Sequence, residues 1–289
     1  MTVATAPAVP ADAPHYPYHN GGGLCRMGAP RPERTPRRRR RPSGWRLLVA
    51  ALLLVWPALA AAGLRLEVNL PAYSLRLYDG DELVMARPVT IGAPEHPTPV
   101  GRWQVRRLIW NPRWMPPPSM DTGRARPMPP GPGNPMGAVK LPLTGAIYLH
   151  GTERRGEIGR PASHGCIRLA NADARALARA LQRRQLDAAA RERIRQRRQG
   201  RPDTPVRVTL PEPVPVRVRY EPLVLEGEAR GVLHPDVYGR VADARAYLRR
   251  ALAAALGVPE GTVSLGAGGL VAQLGERWDR PLRFALEID

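Results

Sequence analysis

Between Leu64 and Val105 the chain alternates apolar and polar residues in short runs separated by turn signals. In LRLEVNL (64–70) every second side chain is apolar, which in an extended chain gathers them on one face. YSLRLYDGDELVMARPVTIG (73–92) alternates on either side of Asp79-Gly80, a pair suited to the tight turn of a β-hairpin, and TPVGRWQV (98–105) follows a further turn. These runs predict a half-buried antiparallel sheet. AIYLH (146–150) predicts a short apolar strand ending in His150, with Gly151 and Thr152 turning the chain. Beyond SHGCIRL (163–169) the period changes: Ala174, Leu177, Ala178 and Leu181 repeat at helical spacing, behind Asn171 as a candidate N-cap and Asp173 in the first turn. That helix is expected to continue through an Arg-rich segment until Gly200 and Pro202 stop it. PVPVRVRYEPLVLEG (213–227) returns to strands, Pro213 and Pro215 pointing to a sheet edge, and DVYGRVADARAYLRRALAAALG (236–257) predicts a second amphipathic helix.

Asn111 to Gly137 breaks the pattern with nine prolines and repeated glycine, which excludes regular structure there. A loop this long in a compact domain is either functional or disordered. Trp110 and Trp114 at its start read as packing anchors or as walls of a cleft. The 34 prolines, 28 glycines and single Phe of the 289 residues argue against a helical bundle and for one main, mainly β domain with accessory helices.

The formal charge is +19, carried almost wholly by Arg, with Lys140 the only lysine. Residues 1–46 hold nine Arg against Asp12 and Glu33, a net +7, which leaves +12 (19 minus 7) for the rest. Arg175 to Arg201 holds ten Arg against Asp187 and Glu192. No aromatic residue interleaves with that segment and no nucleic-acid motif accompanies it, so a nucleic-acid partner is not expected. The segment is either a solvated helix face or a surface for an anionic partner such as a membrane or cell wall.

Arg37 to Arg41 and Arg46 precede the uncharged run LLVAALLLVWPALAAAGL (47–64). Its apolar heart has the length of a signal-peptide core, and Ala58-Leu59-Ala60 and Ala60-Ala61-Ala62 fit small-residue cleavage sites. The run also just reaches the lower limit of a membrane-spanning helix, so a cleaved signal and an uncleaved inner-membrane anchor both remain open. Either implies export to the periplasm or cell envelope. The leader ahead of it is expected to carry no fold, and Met27 offers a second start.

Cleavage would leave Cys166 as the one cysteine of the mature chain, because Cys25 lies ahead of the run. A leftover thiol in an oxidising compartment is a buried small hydrophobe or a reactive group. His150 and His164 favour reactivity, since an imidazole can take the thiol proton to give a thiolate nucleophile. Gly165 permits a backbone angle that would aim the Gly165 and Cys166 N–H groups at a tetrahedral oxyanion. Arg168 suits a carboxylate. The implied chemistry is acyl transfer through a thioester. Two other readings stay open: satisfied structural histidines, and a zinc site of His150, His164 and Cys166. The second lacks another thiolate and any Cys-x-x-Cys or His-Glu-x-x-His companion, so neither metal nor cofactor is expected.

SHGCIRL (163–169), preceded by HGT (150–152) and IGRPA (158–162), resembles the active-site signature of the L,D-transpeptidases: a His, a spacer, then Ser/Thr-His-Gly-Cys. LEVNLPAYSLRLYDGDELVMARPVTIG, TPVG, NPRWMPPPSM and PPGPGNPMG resemble other segments of the same catalytic domain, over about Leu64 to Arg179, and PVRVRYEP and LHPDVYGR resemble the end of longer envelope members. The resemblance implies a mainly β, sandwich- or barrel-like catalytic domain acting on peptidoglycan stem peptides. Cys166 would attack the carbonyl joining the third, diamino acid residue to a terminal D-alanine. An amine of another stem, or of a wall-attached protein, would resolve the thioester. His150 matches the general base; Ser163, His164 and Gly165 would shape the loop; Arg168 and Thr152 would meet the substrate. Some members carry Asn where this chain has Arg168, as a large envelope subgroup does. An L,D-carboxypeptidase using the same site, or a wall-binding protein without turnover, are the alternatives. The organisation implied is a basic segment (1–46), the signal or anchor region (47–63), the catalytic domain (64–182), an Arg-rich helical insertion (183–204) and C-terminal strands and helix that complete or flank the domain (205–289).

Overall fold

The alternating runs form strands in a computed structural model that describes residues 63–116, 126–145, 147–227, 230–263 and 278–285. The basic leader and all but the last two residues of the apolar run, with the signal or anchor expected there, lie outside the described residues. Among those described, no helix is long and apolar enough to cross a membrane.

β1 (Leu64–Asn69), β2 (Ser74–Asp79) and β3 (Glu82–Pro88) make an antiparallel meander, followed by the short β4 (Ile91–Gly92) and the ten-residue β5 (Gly101–Trp110). β6 (Val139–Thr144) and β7 (Ile147–Thr152) form a hairpin; β8 (Pro161–Ser163) and β9 (Ile167–Ala170) flank Cys166. Helices α1 (Asn171–Gln185) and α2 (Ala188–Gly200) lead to β10 (Val206–Arg219). Eight strands form one sheet in the order β3-β2-β1-β10-β5-β6-β7-β9, with β4 and β8 paired separately. Thr90, just after β3, exchanges both backbone hydrogen bonds with Arg168 of β9 at 2.9 Å each, so the sheet curls until its ends nearly meet. The mainly β class with accessory helices is what the chain adopts. Leu66, Leu77, Leu108, Leu149, Ile167 and Leu177 share one core, each contributing about 1.5–3 kcal/mol by leaving water.

Three local expectations need correction. β10 is not an edge strand but sits between β1 and β5. Its prolines are tolerated because β1 joins it only from Val216 onward, while its ladder with β5 shifts register between Thr209 and Val214. The predicted long helix is two: Leu186 is extended, and the Asp187 side chain accepts the Ala190 N–H at 2.6 Å to start α2. Asn171 does not cap α1 but is its first residue, its Oδ1 accepting the Ala138 N–H at 2.8 Å.

The C-terminal helix, α3 (Ala244–Leu256), begins only after its Asp243 cap and ends at Gly257 in the left-handed region. It packs with β11 (Leu223–Leu225), β12 (Arg230–Leu233) and β13 (Leu282–Ala285) around a small core of Leu233, Leu248, Trp278 and Leu282.

The Arg-rich α2 is anchored to the domain. Ile194 packs on the main core, Arg191 donates to the Leu186 carbonyl at 2.7 Å, and the Arg198 guanidinium stacks 3.5 Å over the ring of the fully buried Trp110. Burial, with Arg179 and Arg175 nearby, pulls the Arg198 pKa down to about 10. Trp110 is thus a packing anchor. Arg198→Ala is expected to cost about 1–2 kcal/mol, read as a lower urea midpoint, whereas Arg193→Ala on the exposed face should stay within about 0.5 kcal/mol.

Candidate active site

Leu149 enters the core, so its neighbours Tyr148 and His150 face the other side of β7. His150 is in register with Lys140 of β6 on one side and Arg168 of β9 on the other. Ile109 of β5 pairs with Lys140, and Arg207 of β10 pairs with Ile109, so one row runs across five strands. Cys166 lies two residues before Arg168, and the Tyr148 backbone N–H reaches its thiol. The start of α1 docks beneath this row through Asn171, whose Oδ1 would lie 2.2 Å from a Cβ added at Gly151 and 2.3 Å from one at Gly137. Only glycine lets the helix start come so close to the strand that carries His150.

His150 is 1% exposed, and its Nδ1 lies 2.8 Å from the Gly151 carbonyl. A carbonyl can only accept, so the ring proton belongs on Nδ1 and Nε2 is left as the basic nitrogen. Burial, helped by the charges of Arg168 and Lys140, lowers the His150 pKa to about 4. Burial pushes the Cys166 thiol up, against the opposing pull of the Tyr148 N–H, Arg168 and Lys140. Both shifts favour the neutral forms, thiol and imidazole, at neutral pH.

The Cys166 loop is tied down from several directions. Gly165 stands at φ +98, a conformation that favours glycine. The buried Ser163 hydroxyl accepts the Gly165 N–H at 3.1 Å and donates to the Cys166 carbonyl at 2.5 Å. The Gly165 N–H is thereby engaged inside the loop and does not face an oxyanion, contrary to expectation. Thr98 Oγ1 donates to the Gly165 carbonyl at 2.9 Å, and Tyr238 Oη accepts the Thr98 N–H at 3.1 Å while donating to the Gly92 carbonyl at 2.8 Å.

Other predicted residues divide. His164 is exposed and stacks on His96 with ring centres 4.6 Å apart, while His150 is buried. Arg168 donates to the Glu157 carboxylate at 2.5 Å, so its charge is largely matched within the fold. Thr152, expected at the substrate, is 4% exposed and accepts the Arg154 N–H at 3.1 Å in the turn after His150. Among the described residues no three His, Cys, Asp or Glu side chains converge as metal ligands.

Sequence reading missed Lys140, Glu157, His96 and Tyr238 as neighbours of the site. For Lys140 a partial signal existed: VKLPL and AIYLH flank Thr144-Gly145 and point to a hairpin, but a plain two-residue turn there would set Lys140 opposite Leu149, and the register shift between Pro142 and Thr144 places it opposite His150. The other three reach the loop through tertiary folding alone.

The model of the L,D-transpeptidase catalytic-domain family, YkuD, matches residues 64–208, which is 145 of the 289 residues. A Bacillus licheniformis protein assigned as the L,D-transpeptidase YkuD is 35% identical over 115 residues, covering 39% of this chain and 58% of that protein. One from Escherichia coli K12, assigned as the L,D-transpeptidase YbiS, is 36% identical over 111 residues, 34% of this chain and 36% of its own. The chain thus spans about a third to three fifths of these relatives. A solved L,D-transpeptidase from Mycobacterium smegmatis aligns with a TM-score of 0.34 at 18% identity, over 55% of this chain and 59% of that one. The family match covers every strand from β1 to β9, the Cys166 loop and the His150 strand, and on that extent the chain belongs to the L,D-transpeptidase catalytic-domain family.

Proposed function

We propose that the protein is an exported peptidoglycan L,D-transpeptidase that transfers the acyl group of a stem tetrapeptide to an amine through a Cys166 thioester. The observation that carries this is a buried, neutral His150 whose Nε2 is its free base nitrogen, in the strand that also offers a backbone N–H to the Cys166 thiol. In the first half-reaction Cys166 Sγ attacks the carbonyl before the terminal D-alanine as Nε2 takes the thiol proton. The tetrahedral intermediate then collapses, the C–N bond breaks, and His150 returns the proton to the departing D-alanine amine. In the second half-reaction an acceptor amine loses a proton to His150, attacks the thioester and regenerates the thiol. Water as acceptor would make the same site a carboxypeptidase. The family membership supports the reaction class, and the apolar run with its Arg-rich flank supports export.

Incubation with a defined tetrapeptide stem, followed by mass analysis, tests the assignment. Wild-type protein should release D-alanine and form a cross-linked dimer, Cys166→Ala should give neither, and His150→Ala should be slower by about 10²–10⁴-fold. Turnover by Cys166→Ala at the wild-type rate would sink the thiol mechanism.

The pH dependence follows from the displaced His150. Protonation removes the base, so kcat/KM should stay level as pH falls through 6.5, the ordinary histidine value, and drop only near 4. Stability has a matching sign: the unfolded imidazole takes up its proton near 6.5 and the folded one near 4, so stability declines as pH falls across that window. His150→Gln should lack this component of the decline in pH-dependent unfolding.

A strained β-lactam tests the thiol against the zinc alternative. A carbapenem should add once per chain, with the added mass on Cys166, and chelator treatment should leave turnover intact. Stoichiometric zinc in a folded protein that forms no adduct would favour a metal site.

A further inference from the structure

Lys140, the chain's only lysine, stands beside the nucleophile. Its ammonium lies 4.6 Å from the centre of the Tyr148 ring, on the strand next to His150 and on the same sheet face. Charges acting on it come from Arg107 of β5, Arg207 of β10 and the Cys166 thiol. The row register accounts for this, because Arg207 and Lys140 flank Ile109, and Arg107 is two residues before Ile109 on the same face. Glu157, which neutralises Arg168 and Arg154, does not serve Lys140, and among the described residues no carboxylate pairs with it. Burial, with the repulsion of Arg207 and Arg107, lowers the Lys140 pKa. A half-buried ammonium facing two like charges is unfavourable until an anion arrives.

The reaction proposed above supplies that anion. The terminal D-alanine of the donor stem bears a free carboxylate on the carbon next to the scissile nitrogen, so an attack by Cys166 brings the carboxylate to this patch. Resting on the transpeptidase reading, we propose that Lys140, backed by Arg107 and Arg207, is a substrate-binding residue that receives the terminal D-alanine carboxylate and selects donor stems that end in a free acid. Arg168 is held by Glu157 and instead orients the loop. Once the acyl bond breaks, the anion leaves with D-alanine and the patch is free again before the acceptor attacks.

Calorimetric binding to the full chain carrying Cys166→Ala reads this without turnover. The probes are a stem tetrapeptide ending in D-alanine and the same peptide ending in D-alaninamide. The acid should bind at least about tenfold more tightly. Adding Lys140→Gln should erase the difference and Lys140→Arg should keep most of it. Arg107→Gln with Arg207→Gln, both exposed, should reduce it partly. In the active chain, Lys140→Gln should raise KM for the acid peptide more than it lowers kcat. Equal binding of acid and amide by Cys166→Ala would overturn the assignment. So would a Lys140→Gln chain that keeps the acid preference but shifts the pH profile of Cys166 alkylation by iodoacetamide, because Lys140 would then act on the thiol alone. Preserved acid preference in a wild-type chain that releases no D-alanine would support the carboxylate site while sinking the reaction.

Discussion

The parallel pairing of β7 with β9 is the constraint on which the site depends. It sets His150 opposite Arg168 and brings the Tyr148 N–H to Cys166, although imidazole and thiol are sixteen positions apart in sequence (166 minus 150). Parallel neighbours need a crossover rather than a tight turn, and here residues 153–166 supply it. That crossover also delivers Glu157 to Arg168 and, through β8, pairs with β4. The Thr90–Arg168 bridge then joins the far end of the sheet to the same strand, so sheet curvature and site geometry are set by one set of backbone hydrogen bonds.

Dryness gives that geometry its chemical character. Burial disfavours charge on both members of the pair, lowering the His150 pKa and raising that of Cys166, so neither group is ionised in advance. Arg168, Lys140 and the Tyr148 N–H pull the thiol the other way, favouring its charged form against that burial. The surrounding charge is unevenly matched: Arg168 has Glu157, whereas among the described residues no carboxylate pairs with Lys140, which lies near Arg107 and Arg207.

Parts of the chain beyond the family match brace the loop. Tyr238 Oη ties Gly92 to Thr98, and Thr98 holds the Gly165 carbonyl, so a C-terminal residue reaches the Cys166 loop through two hydroxyls. The Arg-rich α2 is fixed by Arg198 on Trp110 and by Ile194 on the core, with most of its other cations exposed. The stretch that stood out by charge is therefore attached through its few less exposed members.

By itself the sequence determined the strands of the meander, the helical period after Ala174, and the identities of Cys166 and His150, because alternation, turn dipeptides and reactive side chains act over a few residues. It pointed to the β6–β7 hairpin but not to its register, because a shift between Pro142 and Thr144 is what sets Lys140 opposite His150. Tertiary structure alone decided that β10 lies inside the sheet despite its prolines, since strand order depends on which distant ladder closes on which. It likewise decided that Thr152 is enclosed and that Glu157 meets Arg168. Each of these turns on distances between segments that no local period encodes.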